Sequence, residues 1–236
     1  MRLDFSGERI LAVVAHPDDA ELLCAGTLAR ARQAGAAIGV CVLCRGDKGQ
    51  PPTPLPDLAA TRREEMAASA RLLGAELLLG EISDGELADV PPQRSLVVEL
   101  LRRFRPTLVL AHNPDDYHPD HRAAAHLAEA ATWFAASRGH VTAHAPLAEQ
   151  PALWWLDSVN LGRFEPGFYV DISPFVALKH QLLRCHASQL QRGGASDFSP
   201  LDDVMRLQYS ARGAQAQVAA AEAFQMHRAW KRTRAW

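Results

Sequence analysis

Four cysteines in 236 residues are too few for a disulfide scaffold. No apolar run approaches the roughly 20 residues that a bilayer-spanning helix needs. No internal repeat appears, and no G-x-G-x-x-G turn follows the first apolar stretch, which disfavours a dinucleotide-binding module. Neither sign of charge dominates: 25 basic and 27 acidic residues leave a net charge of −2. Such a chain has no global field for gripping a nucleic-acid backbone or an anionic membrane. A small-molecule partner is expected, with no nucleic acid, no membrane and a homo-oligomeric assembly. Glycine and proline, 15 of each, are in ordinary supply and exclude collagenous and low-complexity classes. What remains, 48% hydrophobic and 22% charged, is a globular composition. The apolar stretch Ile10 to Ala15 runs into His16-Pro17-Asp18-Asp19 rather than a small-residue cleavage site, so the expected compartment is the cytoplasm.

Short apolar strands alternate with amphipathic helical stretches through the first 140 residues. This is the pattern of βαβ units, and it predicts an α/β fold with a parallel sheet covered on both faces. Strands are expected at Arg9 to Ala15, Ile38 to Cys44, from Glu76 to Leu79, and at Thr107 to Ala111; helices at Ala20 to Gln33, Asp57 to Leu73, Pro91 to Arg103 and Asp120 to Ser137. Ala152 to Leu156 and Phe168 to Ile172 read as late strands, Pro174 to Gln189 as a helix, and Leu201 to Phe224 as a final helical stretch. A single domain spanning 1–236 follows, with 228–236 as a flexible basic tail. Cys41 and Cys44 have redox or zinc-motif spacing, but a period of two sends them to opposite faces of a strand, so they read as buried thiols.

The polar clusters fall where chemistry is expected. His16-Pro17-Asp18-Asp19 follows the first strand, and His112, Asp115, Asp116, His118, Asp120 and His121 follow the fourth. Both lie at carboxyl ends of parallel strands, the edge where open α/β sheets bind ligands. Two imidazoles and a carboxylate make the mixed donor set of catalytic zinc, which takes three protein ligands and leaves a position open. His16 and Asp19 stand three apart in a tight turn and can converge, while Asp18 points elsewhere and stays free to act as a base. Of His118 and His121, one ligates and the other serves the substrate; Asp120 is a candidate to orient one of them through a ring N–H. A lone Asp-Asp pair at a helix start is most often a cap, and a lone histidine near a helix end a surface residue. Two such clusters on one sheet edge favour a metal site.

Ala15-His16-Pro17-Asp18-Asp19-Ala20-Glu21 and His118-Pro119-Asp120-His121 together resemble the two signatures of the LmbE/PIG-L-like zinc-dependent N-deacetylases. The similarity continues through Arg62-x-x-Glu65, Asp84-Gly85, Val170-Asp171-Ile172 and His186-Ala187-Ser188-Gln189. Ala221-Glu222-Ala223-Phe224 is similar to members acting on the N-acetylglucosaminyl-malate precursor of bacillithiol. The resemblance implies a Rossmann-like three-layer sandwich and one zinc ion per chain held by His16, Asp19 and His121. It implies Asp18 as general base, and His118, oriented by Asp120, as the group that stabilises the oxyanion or protonates the leaving amine. Arg62 contacts substrate on this view, and His186 corresponds to a position near the pocket. Where many relatives carry Gly-Cys-Gly-Gly-Thr after the first motif, this chain has Leu23-Cys24-Ala25-Gly26-Thr27.

The expected activity is therefore hydrolytic removal of an acetyl group from an N-acetylglucosamine-type substrate, N-acetylglucosaminyl-malate first. Arg62, with Arg45 or Lys48, is placed to meet a carboxylated aglycone. Two rivals are a metal-dependent phosphoesterase, which predicts two ions, and a non-catalytic zinc- or sugar-binding protein, which has no use for a free Asp18.

Overall fold

The computed structural model describes residues 4–190 and 200–229. In chain order these form β1 (Arg9–Val14), α1 (Asp19–Leu23), α2 (Ala25–Gln33), β2 (Ala37–Cys44), α3 (Leu58–Leu73), β3 (Glu76–Ile82), α4 (Pro91–Phe104), β4 (Leu108–Ala111), α5 (Pro119–Phe134), β5 (Ala152–Leu156) and β6 (Phe168–Asp171). A 3₁₀ turn at Ser173–Phe175, α6 (Val176–Arg184), α7 (Ala187–Leu190), α8 (Leu201–Ala216) and β7 (Ala221–Met226) complete them.

The seven strands make one sheet in the order β3-β2-β1-β4-β5-β7-β6. Strands β1 to β5 pair in parallel, and β7 runs antiparallel to both β5 and β6. Burial on both faces explains why β1, β2 and β4 read as continuous apolar runs. Their alternate side chains feed two core layers. Ile10, Ala12 and Val14 pack with α2, α3, α6 and α8, whereas Leu11, Val13 and Ala15 pack with α4 and α5. Local signals set the helix ends: the Asp57 carboxylate caps α3 by accepting from Ala60 N–H at 3.0 Å, and prolines open α4 and α5 at positions where no N–H is needed. From β1 the chain moves outward to β2 and β3, then returns as β4 on the other side of β1. The β1/β4 boundary is thus a topological switch point, where the carboxyl edge opens a crevice.

Four expectations need correction. The final helix stops at Ala216, where Gln217 takes a left-handed conformation, and Ala221–Met226 is a strand inserted between β5 and β6. Its alanine-rich sequence favours a helix, and burial in the sheet overrides that propensity. The expected helix from Ala20 to Gln33 breaks at Cys24 into α1 and α2, and the stretch from Pro174 to Gln189 divides into the 3₁₀ turn, α6 and α7. Cys41 and Cys44 are both buried free thiols, yet they share one core layer, because the β2–β3 register shifts between Val42 and Cys44.

The retained Gly26 has a steric reason: a Cβ there would stand 2.7 Å from the Ile172 side chain. Arg102, almost fully buried on α4, shapes the segment after α5, donating to the carbonyls of Ala135 at 3.0 Å and Ser137 at 2.7 Å and to Thr142 Oγ1 at 2.9 Å. Among the described residues no helix is long and apolar enough to cross a membrane. The Gly193-Gly194 segment and most of the basic tail, residues 230–236, lie outside the described residues.

Candidate active site and metal centre

The turn after β1 divides its two aspartates. Asp18 sits at φ 101°, a left-handed conformation that costs a non-glycine residue about 1–3 kcal/mol and collects at functional sites. The turn is closed by His16 N–H donating to Asp19 Oδ2 at 2.7 Å and by Asp19 N–H donating to His16 O at 3.3 Å. As a result Asp19 faces the histidines and Asp18 faces Arg62.

Asp19 is the hub. Its Oδ2 lies 3.5 Å from His16 Nδ1 and 3.2 Å from His112 Nε2, and its Oδ1 lies 3.3 Å from His121 Nε2. The far nitrogens of two of these imidazoles each meet a separate carboxylate: His16 Nε2 faces Asp120 Oδ2 at 3.1 Å, and His121 Nδ1 faces Asp116 Oδ1 at 2.9 Å. Burial pushes both imidazoles down, but the surrounding carboxylates outweigh it and raise His16 to about 10 and His121 to about 9. Burial alone would raise Asp19, which His121 and His112 instead hold well below the usual carboxylate range. The cluster therefore concentrates negative charge that the imidazoles themselves must balance, and a divalent cation among these oxygen and nitrogen donors would balance it instead. The donor set of His16, Asp19 and His121 fits zinc, with His16 and His121 each held at the far side by a carboxylate.

His118 is the N-cap residue of α5, and its Nδ1 accepts from Asp120 N–H at 3.2 Å. Burial, with His121 and His16 adding to it, lowers its pKa to about 4. A neutral imidazole that accepts at Nδ1 carries its proton on Nε2, so His118 is a hydrogen-bond donor. Asp120 meets His118 through its backbone N–H rather than through its carboxylate. The Asp120 carboxylate is instead shared between His16 and Gly85 N–H, which donates to it at 3.0 Å, because the start of α5 turns this side chain toward β1.

A pocket of about 620 Å³ opens over the cluster, lined by His16, Asp18, Asp19, Arg62, His118, Asp120 and His121, with Lys48, Asp84, Tyr117 and Gln189 around them. Arg62 is buried and donates to Asp18 Oδ2 at 3.0 Å, to Pro17 O, and to Gly46 O at 3.4 Å. Gly46, at φ +74°, leaves room for it, since a Cβ there would lie 2.7 Å from the guanidinium. Burial raises the Asp18 carboxyl, and Arg62 only partly offsets it. His186 does not reach the pocket wall: it is fully buried, with Nε2 3.4 Å from Glu21 Oε1. Arg45 lines a separate, smaller cleft, so of the two loop cations only Lys48 faces the site.

Two residues of the second polar cluster to which the sequence assigned no role acquire one. His112 accepts from Ala15 N–H at 3.1 Å and stacks on His121, ring centres 3.9 Å apart, fixing that ring between strand and helix. Asp116 accepts from His118 N–H at 2.9 Å as well as facing His121, so it shapes the loop and holds a ring at once. The signal for Asp116 was its place two residues before His118, a spacing at which an aspartate closes a turn on itself.

A mostly parallel α/β sheet brings carboxylates and imidazoles together at its switch point, in clusters that could hold a metal ion. The model of the PIG-L family, described as GlcNAc-PI de-N-acetylase, matches residues 11–132, over half of the chain, and the chain belongs to that family. It is 28% identical over 192 residues to the diacetylchitobiose deacetylase of Thermococcus kodakarensis, covering 77% of this chain and 70% of that one. It is 26% identical over 189 residues to a 4-oxalmesaconate hydratase of Pseudomonas putida, covering 76% and 73%. Among solved structures, a conserved protein of Thermus thermophilus superposes with a TM-score of 0.81 at 33% identity, over 96% of this chain and all of that one.

Proposed function

We propose that the chain is a zinc-dependent N-deacetylase that hydrolyses the acetamide of an N-acetylglucosamine conjugate. One observation carries the reading: His16 and His121 each turn one ring nitrogen toward Asp19 while a carboxylate holds the other. His16, Asp19 and His121 would hold the ion, one per chain. When bound, such an ion acidifies a water and polarises a carbonyl.

The remaining steps belong to side chains. Asp18, raised by burial and held by Arg62, accepts the proton of the attacking water. His118 donates from Nε2 to the oxygen that gains charge as the amide carbonyl becomes tetrahedral. The proton held by Asp18 passes to the departing nitrogen as the C–N bond breaks, giving acetate and a free amine. Arg62 fixes the base; among the described residues the other Lys or Arg lining the pocket is Lys48, exposed and 3.6 Å from Asp47 Oδ2, and it would meet an anionic aglycone. N-acetylglucosaminyl-malate is the first substrate on this reading, and the cytoplasm its setting.

The test is acetate release from N-acetylglucosaminyl-malate, diacetylchitobiose and the N-acetylglucosaminyl inositol, with and without chelation. Chelator-sensitive release from any of them supports the deacetylase. Preference for the malate compound, reduced in Lys48→Ala, supports the aglycone. Hydration of an unsaturated tricarboxylate without acetate release overturns the reading in favour of the chemistry named for the Pseudomonas relative.

A further inference from the structure

Cys44 ends β2 directly below the metal centre. It is 2% exposed, and its thiol makes no hydrogen bond among the described residues. Its sulfur lies within 4.8 Å of a ligand atom of His16 and of Asp120, which are themselves 3.1 Å apart through Nε2 and Oδ2. A zinc-like ion at about 2.0–2.2 Å from nitrogen and oxygen spans a pair at about that separation, with a thiolate at about 2.3 Å as third ligand. Nδ1 of the same His16 ring faces Asp19, so the two edges of one imidazole look toward two different donor sets.

We propose that His16, Cys44 and Asp120 form a second, weaker site for a thiophilic divalent ion, such as cadmium or excess zinc, and that filling it switches the enzyme off. The chemistry is that of sulfur, imidazole and carboxylate, a set that selects soft or borderline cations over magnesium or calcium. Binding there releases two protons to solvent, the Cys44 S–H and, with an ion already on Nδ1, the His16 Nε2–H. That requirement, and the hydrogen bond the ion must break, make the site the weaker of the two. His16 and Asp120 line the large pocket and Cys44 lines the smaller cleft beside it, so the three donors stand between the two openings. Inhibition follows because the ion takes Asp120 away from His16; this consequence rests on the deacetylase reading, whereas the binding itself does not.

The experiment adds cadmium to protein already loaded with one equivalent of zinc, following the ultraviolet absorption of cadmium thiolate, total bound metal and acetate release. Wild type and Cys41→Ala are expected to take up a further ion with growth of the thiolate band and loss of activity. Cys44→Ser and Cys44→Ala are expected to keep the first ion and basal turnover, to show no band, and to resist cadmium by roughly tenfold or more. A wild type without the band, or Cys44 variants that take up the second ion and are inhibited as before, overturns the proposal. If the band follows Cys44 while singly loaded protein releases no acetate from any substrate, the deacetylase reading falls and the second site stands.

Discussion

Nε2 of His16 lies 3.1 Å from Oδ2 of Asp120, a contact that joins two polar segments 104 residues apart in the chain. It makes the Asp120 carboxylate the group that holds the His16 ring, while the Asp120 backbone N–H meets His118. Losing such a partner commonly costs about 10–100-fold in metal affinity. Asp120→Asn is therefore expected to fold normally and bind zinc more weakly by that factor, measured by competition with a chromogenic chelator. Unchanged affinity together with a fall in kcat would return Asp120 to the role of orienting His118.

Asp18 and Arg62 form a buried pair beside the cluster rather than within it. Asp18→Asn removes the base and leaves the proposed ligands, so metal content should hold while turnover falls by about 10²–10⁴-fold. Arg62→Lys should also lose turnover, because a lysine cannot serve Asp18, Pro17 O and Gly46 O from one planar fork. A wild-type rate in Asp18→Asn would remove the assigned role.

Much of this arrangement is legible in the amino-acid order itself, and the exceptions share a cause. His16, Asp18 and Asp19 sit within four residues, and His118 and His121 within one helical turn, so their grouping follows from local geometry. β1, β2 and β4 are unmistakable because burial on both faces leaves no charged position in them after Arg9 at the start of β1. By contrast, β7 lies in a run of helix-favouring residues, and only its slot between β5 and β6 makes it a strand. The stacking of His112 on His121 and the choice of His16 by Asp120 depend on how a strand end and a helix start are juxtaposed, which no spacing encodes. The shared layer of Cys41 and Cys44 likewise depends on one register shift.

His118 is tied to the backbone through Nδ1, which leaves Nε2–H to act as a donor. His118→Ala should retain zinc and lower kcat more than it raises KM, since the hydrogen bond strengthens only as the carbonyl oxygen gains charge. His118→Gln should recover part of the loss by supplying an N–H. Single-turnover and steady-state kinetics on the two variants check this. Loss of zinc in His118→Ala would mean that His16, His118 and His121, which also lie within ligand distance of one another, form the binding set.

Lys179 and Glu222 are buried behind the metal turn, and together they tie four elements. Lys179 Nζ on α6 donates to Leu22 O at 3.0 Å, at the end of α1, and to Glu222 Oε1 on β7 at 2.5 Å. Glu222 in turn accepts from Gly26 N–H at 2.9 Å and Thr27 N–H at 2.7 Å, satisfying the start of α2 after the break at Cys24. Glu222, which as a sequence feature pointed toward a substrate subclass, is thus a helix cap and half of an ion pair. Removing one partner of a buried pair strands the other charge, at a cost of about 3–5 kcal/mol. Lys179→Met and Glu222→Gln should each destabilise by that order, while the double variant should lose less than the sum, because no uncompensated charge remains. Urea unfolding at constant slope measures all three. Single variants that lose under about 1 kcal/mol, the range of an exposed pair, would show that this ion pair contributes nothing beyond what a surface pair does.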